Sequence, residues 1–124
     1  MPEDKLRTDI EQRLFAVYDL FNRREMEAVL ALMHPNVDWP NGMEGGRVHG
    51  RDGVRDYWTR QWSLIDPHVE PVDSSIDEAG RIVLRVHQTV RDLAGKLILD
   101  QYVEHVYTMM NDLIARMDIR EPRP

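Results

Sequence analysis

The chain predicts an α+β domain, with about three N-terminal helices gathered on one face of a curved antiparallel sheet. Such a sheet curls around its helices as a cone and leaves room for an internal pocket. Three observations predict this. Apolar residues recur at helical spacing up to Ile65, interrupted only by a short extended piece, whereas from Val69 onward they alternate in twos. Turn-forming residues at 77–80, 92–96 and 111–112 cut the alternating part into a meander. At 124 residues and 42% hydrophobic, the chain makes a single domain, 1–124, with a core running from about residue 6 to 120.

In the first helix the stripe Leu6, Ile10, Leu14, Val17, Tyr18 and Phe21 lies on one face, with a start near Glu3. Asn22-Arg23-Arg24 breaks it. A second short helix turns Met26, Val29, Leu30 and Met33 inward, and Pro35 ends it at His34. Val37–Trp39 is a brief strand and Pro40-Asn41-Gly42 a turn, with Val48 a second extended piece. From Arg51 a third helix carries Val54, Tyr57, Trp58, Trp62 and Ile65 and closes at Asp66-Pro67. The stretch Met33–Trp58 joins helices to sheet and reads as the mouth of the pocket.

Val69, Val72 and Ile76 make a strand interrupted by Pro71, hence an edge or a bulge. Arg81–Arg91 alternates, with Ile82, Leu84, Val86 and Val90 on one face and Val83, Arg85, His87 and Thr89 on the other. Lys96–Met110 is a long strand, Leu113–Ile119 the last one, and Glu121–Pro124 a tail.

Several function classes are excluded or disfavoured. A net charge of −6 argues against a nucleic-acid footprint. No cysteine is present, so disulfides and thiolate chemistry are absent. The charged N-terminus has no apolar signal core and no run reaches membrane-spanning length, which makes a cytoplasmic protein with no membrane partner the expectation. The five histidines show no ligand spacing, so no metal site is expected.

The runs FNRREMEAVLALMHPNVDW, RVHGRDGVRDYW and VEHVYTMMNDLIARMDI resemble the SnoaL-like branch of the nuclear transport factor 2-like (cystatin-like, ketosteroid isomerase-like) superfamily. The resemblance implies a conical barrel, usually homodimeric, with a pocket between helices and concave sheet. It also implies a repertoire of polyketide cyclisation, isomerisation, hydration or hydrolysis of small apolar substrates, or binding alone. Compared with ketosteroid isomerases, the base position falls at Asn41, which cannot take a proton. The helix tyrosine falls at Val17, beside Tyr18, and only the acidic donor, at Glu104, is matched. That argues against ketosteroid isomerase activity. Compared with limonene epoxide hydrolases, Trp39-Pro40-Asn41 resembles their tyrosine-x-asparagine and Arg85-Val86-His87 their arginine-x-aspartate, while Asp118 falls near their second aspartate.

His87 carries an imidazole, a group that can serve as acid or base, and shares a strand face with Arg85. That face either lines the pocket or is a solvated or dimer-facing surface. On the next strand Asp100, Tyr102, Glu104 and Thr108 form one face and Gln101, Val103, His105 and Tyr107 the other. The match at Glu104 favours the first as the pocket side, against the reading of an exposed acidic row. The expected catalytic set is therefore His87, Glu104, Arg85 and Asp118. The expected substrate contacts are Tyr18, Trp39, Asn41, Trp58, Trp62 and Tyr102, with core packing as the other reading of the aromatics. The expectation is a homodimer that binds a small, largely apolar molecule. Without a cofactor, it would isomerise, cyclise or add or remove water by acid–base chemistry. A non-catalytic binding or accessory protein of the same fold is the alternative.

Overall fold

A computed structural model describes residues 2–121, with side chains from residue 8 onward. The expectations for the Leu6 side chain and for residues 122–124 lie outside the described part. In helix α1 (Pro2–Asn22) the predicted stripe is buried at Leu14, Val17, Tyr18 and Phe21. The helix ends in a Schellman turn, with the Arg24 N–H donating to the Phe21 carbonyl and the Glu25 N–H to Leu20. Arg24 has φ +62°, rare for a residue with a side chain. Its guanidinium offsets that strain by bonding Asp66 (2.5 Å) and the Pro67 carbonyl (2.7 Å) over the Phe21 and Trp62 rings.

Helix α2 (Met26–Leu30) buries Val29 and Leu30. The sequence predicts that it continues to Met33, but strand β1 (Met33–Pro40) has already begun there. The Leu32 carbonyl accepts the Ile114 N–H, so the chain is captured by the last strand before the helix can extend. Pro35 lies where the pairing register breaks between Met33 and Asp38, a place that needs no N–H from it. Strand β2 (Arg47–His49) pairs with β1, setting Trp39 opposite Val48. Helix α3 (Gly50–Leu64) buries Val54, Tyr57 and Trp58.

Strand β3 (Ile65–Ile76) follows α3 with no loop, so Asp66 and Pro67 belong to the strand. It is an edge strand, and its register shifts between Pro71 and Asp73, as Pro71 predicts. Asn22 secures it to α1: the Asn22 side-chain amide donates to the Val69 carbonyl (2.8 Å) and accepts the Val69 N–H (3.0 Å). Strands β4 (Ile82–Asp92), β5 (Leu97–Met110) and β6 (Leu113–Arg120) form the meander. The β5–β6 turn holds Asn111 and Asp112 at φ +53° and +65°, the geometry of a two-residue hairpin.

The sheet runs β2-β1-β6-β5-β4-β3 and does not close, leaving β2 and β3 as free edges of a curved half-cone. The β1–β6 pair is parallel, the one departure from the antiparallel expectation. The core lies between the concave face and helices α1 and α3. Among the described residues, no helix is long and apolar enough to cross a membrane.

Candidate functional site

Between α1, α3 and the concave sheet lies a cavity of about 440 Å³, within the range of small-molecule sites. Val17, Tyr18 and Phe21 of α1 form one wall and Tyr57, Trp58 and Gln61 of α3 another, with Trp39 of β1 between. Its floor is the inward face of β4 and β5, including Gln88, Val90, Gln101, Val103, His105 and Tyr107. The aromatic wall is held edge to face: Trp58 meets Trp39 at 5.6 Å and Phe21 at 5.0 Å between ring centroids. Among the described lining residues there is no Asp, Glu, Lys or Arg.

One polar feature of the cavity is a string of three side chains. Tyr18 Oη lies 2.6 Å from Tyr107 Oη and 2.7 Å from His105 Nδ1, and all three residues are buried. Burial lowers the His105 pKa to about 4, so its ring is neutral at physiological pH. Burial also raises both phenols, with the neighbouring Tyr107 a lesser cause at Tyr18, so both stay protonated. If Tyr107 donates to Tyr18 and Tyr18 donates to Nδ1, both phenolic hydrogens are satisfied. That arrangement leaves the imidazole N–H at Nε2 for a ligand. Near the mouth Tyr57 Oη accepts the Gly42 N–H at 3.1 Å.

The predicted residues divide by sheet face. Tyr18, Trp39 and Trp58 line the cavity. Trp62 packs one layer back, stacked on Trp58 at 5.8 Å and edge-on to Phe21. Asn41 does not line the cavity: its Oδ1 accepts the Met43 and Glu44 N–H groups and its Nδ2 donates to Glu44, so it holds the bend. Arg85, His87, Tyr102 and Glu104 do share a face, but it is the convex one. His87 Nε2 meets Asp100 at 2.6 Å and stacks on Tyr102, with the Arg85 guanidinium 4.8 Å from that ring. Glu104 bonds Arg120 at 2.6 Å. Asp118 also lies outside, bonded to Arg116 and Arg47, and the Arg116 hydrogen bond is the main cause of its lowered pKa.

The expected placement of His87, Arg85, Glu104 and Tyr102 on the pocket side is therefore reversed. The physical reason is register. Leu84 and Val86 are fully buried against the helices and stand opposite His105 and Val103, so those partners must point inward and their neighbours outward. His105 and Tyr107 belonged to the more apolar of the two β5 faces, and that apolarity was the available signal. Among the described residues no group of His, Asp and Glu is arranged to hold a metal.

The model of the SnoaL-like domain family matches residues 14–117. No curated protein matches the chain. Among solved structures, TerC co-crystallised with polyporic acid superposes with a TM-score of 0.77 at 25% identity, covering 91% of each chain. An NTF2-like protein of unknown function from Burkholderia pseudomallei K96243 superposes with a TM-score of 0.77 at 26% identity, covering 91% of this chain and 90% of its own. SalBIII, an epoxide hydrolase/cyclase-like enzyme in pyran ring formation in the polyether salinomycin, has a TM-score of 0.76. At 13% identity over 92% of this chain and 91% of its own, it shows the fold alone.

Proposed function

The chain belongs to the SnoaL-like family, and from that premise we propose that it binds a small, uncharged, largely apolar ring compound in the cavity. On that compound it moves a proton without a cofactor, with His105 as the group that meets the ligand oxygen. The Tyr107–Tyr18–His105 string in an otherwise uncharged chamber carries this reading. A charged ligand buried there would lack a counter-ion, at a cost of several kcal/mol. A carbonyl or enol oxygen would instead accept the Nε2 hydrogen of a neutral imidazole held in place by Tyr18. As that hydrogen passes to the ligand oxygen, the Tyr18 hydroxyl hydrogen moves to Nδ1 and the Tyr107 hydroxyl hydrogen to Tyr18. Tyr107, which also lines the cavity, takes up the proton that leaves the ligand carbon, so neither the string nor the ligand is left charged. Isomerisation and ring closure at a carbonyl fit this donor. TerC, co-crystallised with polyporic acid, supports a small-molecule ligand for this fold.

Calorimetric and turnover screens of neutral aromatic ketones and phenols test the proposal. His105→Gln and Tyr18→Phe are expected to reduce turnover of a hit by about a hundredfold, the scale of a lost acid or oxyanion donor. Unchanged turnover in both would remove the string from the chemistry. One observation favours a second reading, a non-catalytic carrier: no carboxylate base is among the described lining residues. Tight binding with no conversion of any ligand selects the carrier. We propose as well that two copies pair through the convex face, where Tyr102 is 44% exposed between Arg85 and His87.

A further inference from the structure

The floor of the cavity has a second polar position, far from the first. On the inward face of β4 and β5 the opposed pairs run Leu84·His105, Val86·Val103, Gln88·Gln101 and Val90·Leu99. His105 is 7% exposed at the deep end, Val86 and Val103 are buried in the middle, and Gln101 is exposed toward the mouth. From His105 to Gln101 is four residues of strand, about 13 Å at the usual rise.

Gln101 Nε2 donates to Gln88 Oε1 at 3.0 Å, and neither side chain bonds any other described residue. A paired amide couple of this kind keeps one spare carbonyl oxygen and spare N–H hydrogens, whichever way the two amides are turned. Around it the mouth is apolar, with Ile98 and Leu99 lining the cavity while 56% and 38% exposed. A polar couple on the concave face, within an apolar rim, sits where the outer end of a bound molecule would reach.

We infer that Gln88 and Gln101 are specificity-determining residues, and that the ligand is an elongated neutral compound with a polar group at each end. One oxygen meets His105; an apolar ring body spans Val103; a second hydroxyl, carbonyl or amide meets the glutamine pair. Ionised ends are disfavoured, because neither position carries a charge. This inference rests on the cavity being the ligand site.

Two probes that differ only at the far end test it: 4-hydroxybiphenyl and 4,4′-dihydroxybiphenyl, titrated calorimetrically into the full chain. The wild type is expected to bind the diol about three- to tenfold more tightly, the worth of one net hydrogen bond. Gln101→Leu and Gln88→Leu are each expected to bring that ratio close to one, and their circular dichroism reports whether they fold. Gln101 is exposed, so at least that variant tests the ratio in a folded chain. Equal affinities in the wild type, or a ratio that survives both substitutions, overturns the specificity role of Gln88 and Gln101 while leaving the cavity reading in place. Binding of neither probe overturns both.

Discussion

An imidazole buried between phenols gains a proton only at the expense of the fold, and His105 is such a group. Its folded pKa is about 4, against an ordinary value of 6.5. Between those values the unfolded chain binds more protons than the folded one, so stability rises with pH across the window. The contribution is fully present above about pH 6.5 and falls away as pH drops toward 4, by about 3 kcal/mol in all. In His105→Gln that part of the pH dependence should vanish, leaving the shallower slope of the carboxylates. Urea melts at pH 7, 5.5 and 4.5 measure it, and parallel slopes in the two proteins would show that His105 is not buried as described. The same residue shows what was legible in the sequence at this scale. Tyr18, Trp39 and Trp58 were picked out as apolar rings on helical or alternating faces, and all three line the cavity. At His105 the sequence signal misleads, because the family's acid matches Glu104, one residue away. A shift of one residue on a strand changes the face, and only the pairing partner decides which face is inward.

Individual elements follow the sequence where a local signal is strong and depart from it where a distant strand intervenes. The hairpin turns at Asp77–Gly80 and Asn111–Asp112 were legible because positive φ selects for glycine, asparagine and aspartate. The sequence predicts three residues for strand β1, which spans Met33–Pro40, because its parallel partner lies at the far end of the chain. Helix α3 carries Tyr57, Trp58 and Gln61 to the cavity, and its entry is set by Gly50 at φ +74°. A Cβ there would also stand 3.4 Å from the Pro35 carbonyl. Gly50→Ala is therefore expected to cost about 1–2 kcal/mol from the left-handed backbone alone. The thermal midpoint should fall by several degrees, with weaker probe binding as α3 shifts. Gly53→Ala is the matched control, since a Cβ there meets only ordinary van der Waals neighbours. Equal melting of the two variants would show that the α3 entry tolerates a side chain.

For the molecule as a whole, the two sheet faces divide the labour. The concave face holds the cavity, and the convex face holds a row in which Arg85 and His87 flank Tyr102, with Asp100 and Glu104 in ion pairs beside it. Sequence places these side chains on one face, and the pairing of their neighbours His105 and Val103 with buried Leu84 and Val86 turns that face outward. Which strand pairs with which, and in what register, leaves little trace in any one strand. A half-exposed aromatic between a guanidinium and an imidazole suits the pairing proposed above, in which stacked rings repeat across a two-fold axis. Light scattering at micromolar concentration should accordingly give the mass of two chains. Tyr102→Glu, placing a third carboxylate beside Asp100 and Glu104, should give one. Because Tyr102 points away from the cavity, the variant should bind 4-hydroxybiphenyl as the wild type does. A wild type that stays monomeric rejects the pairing. A monomeric Tyr102→Glu that also loses the probe would mean that the second copy helps to shape the cavity.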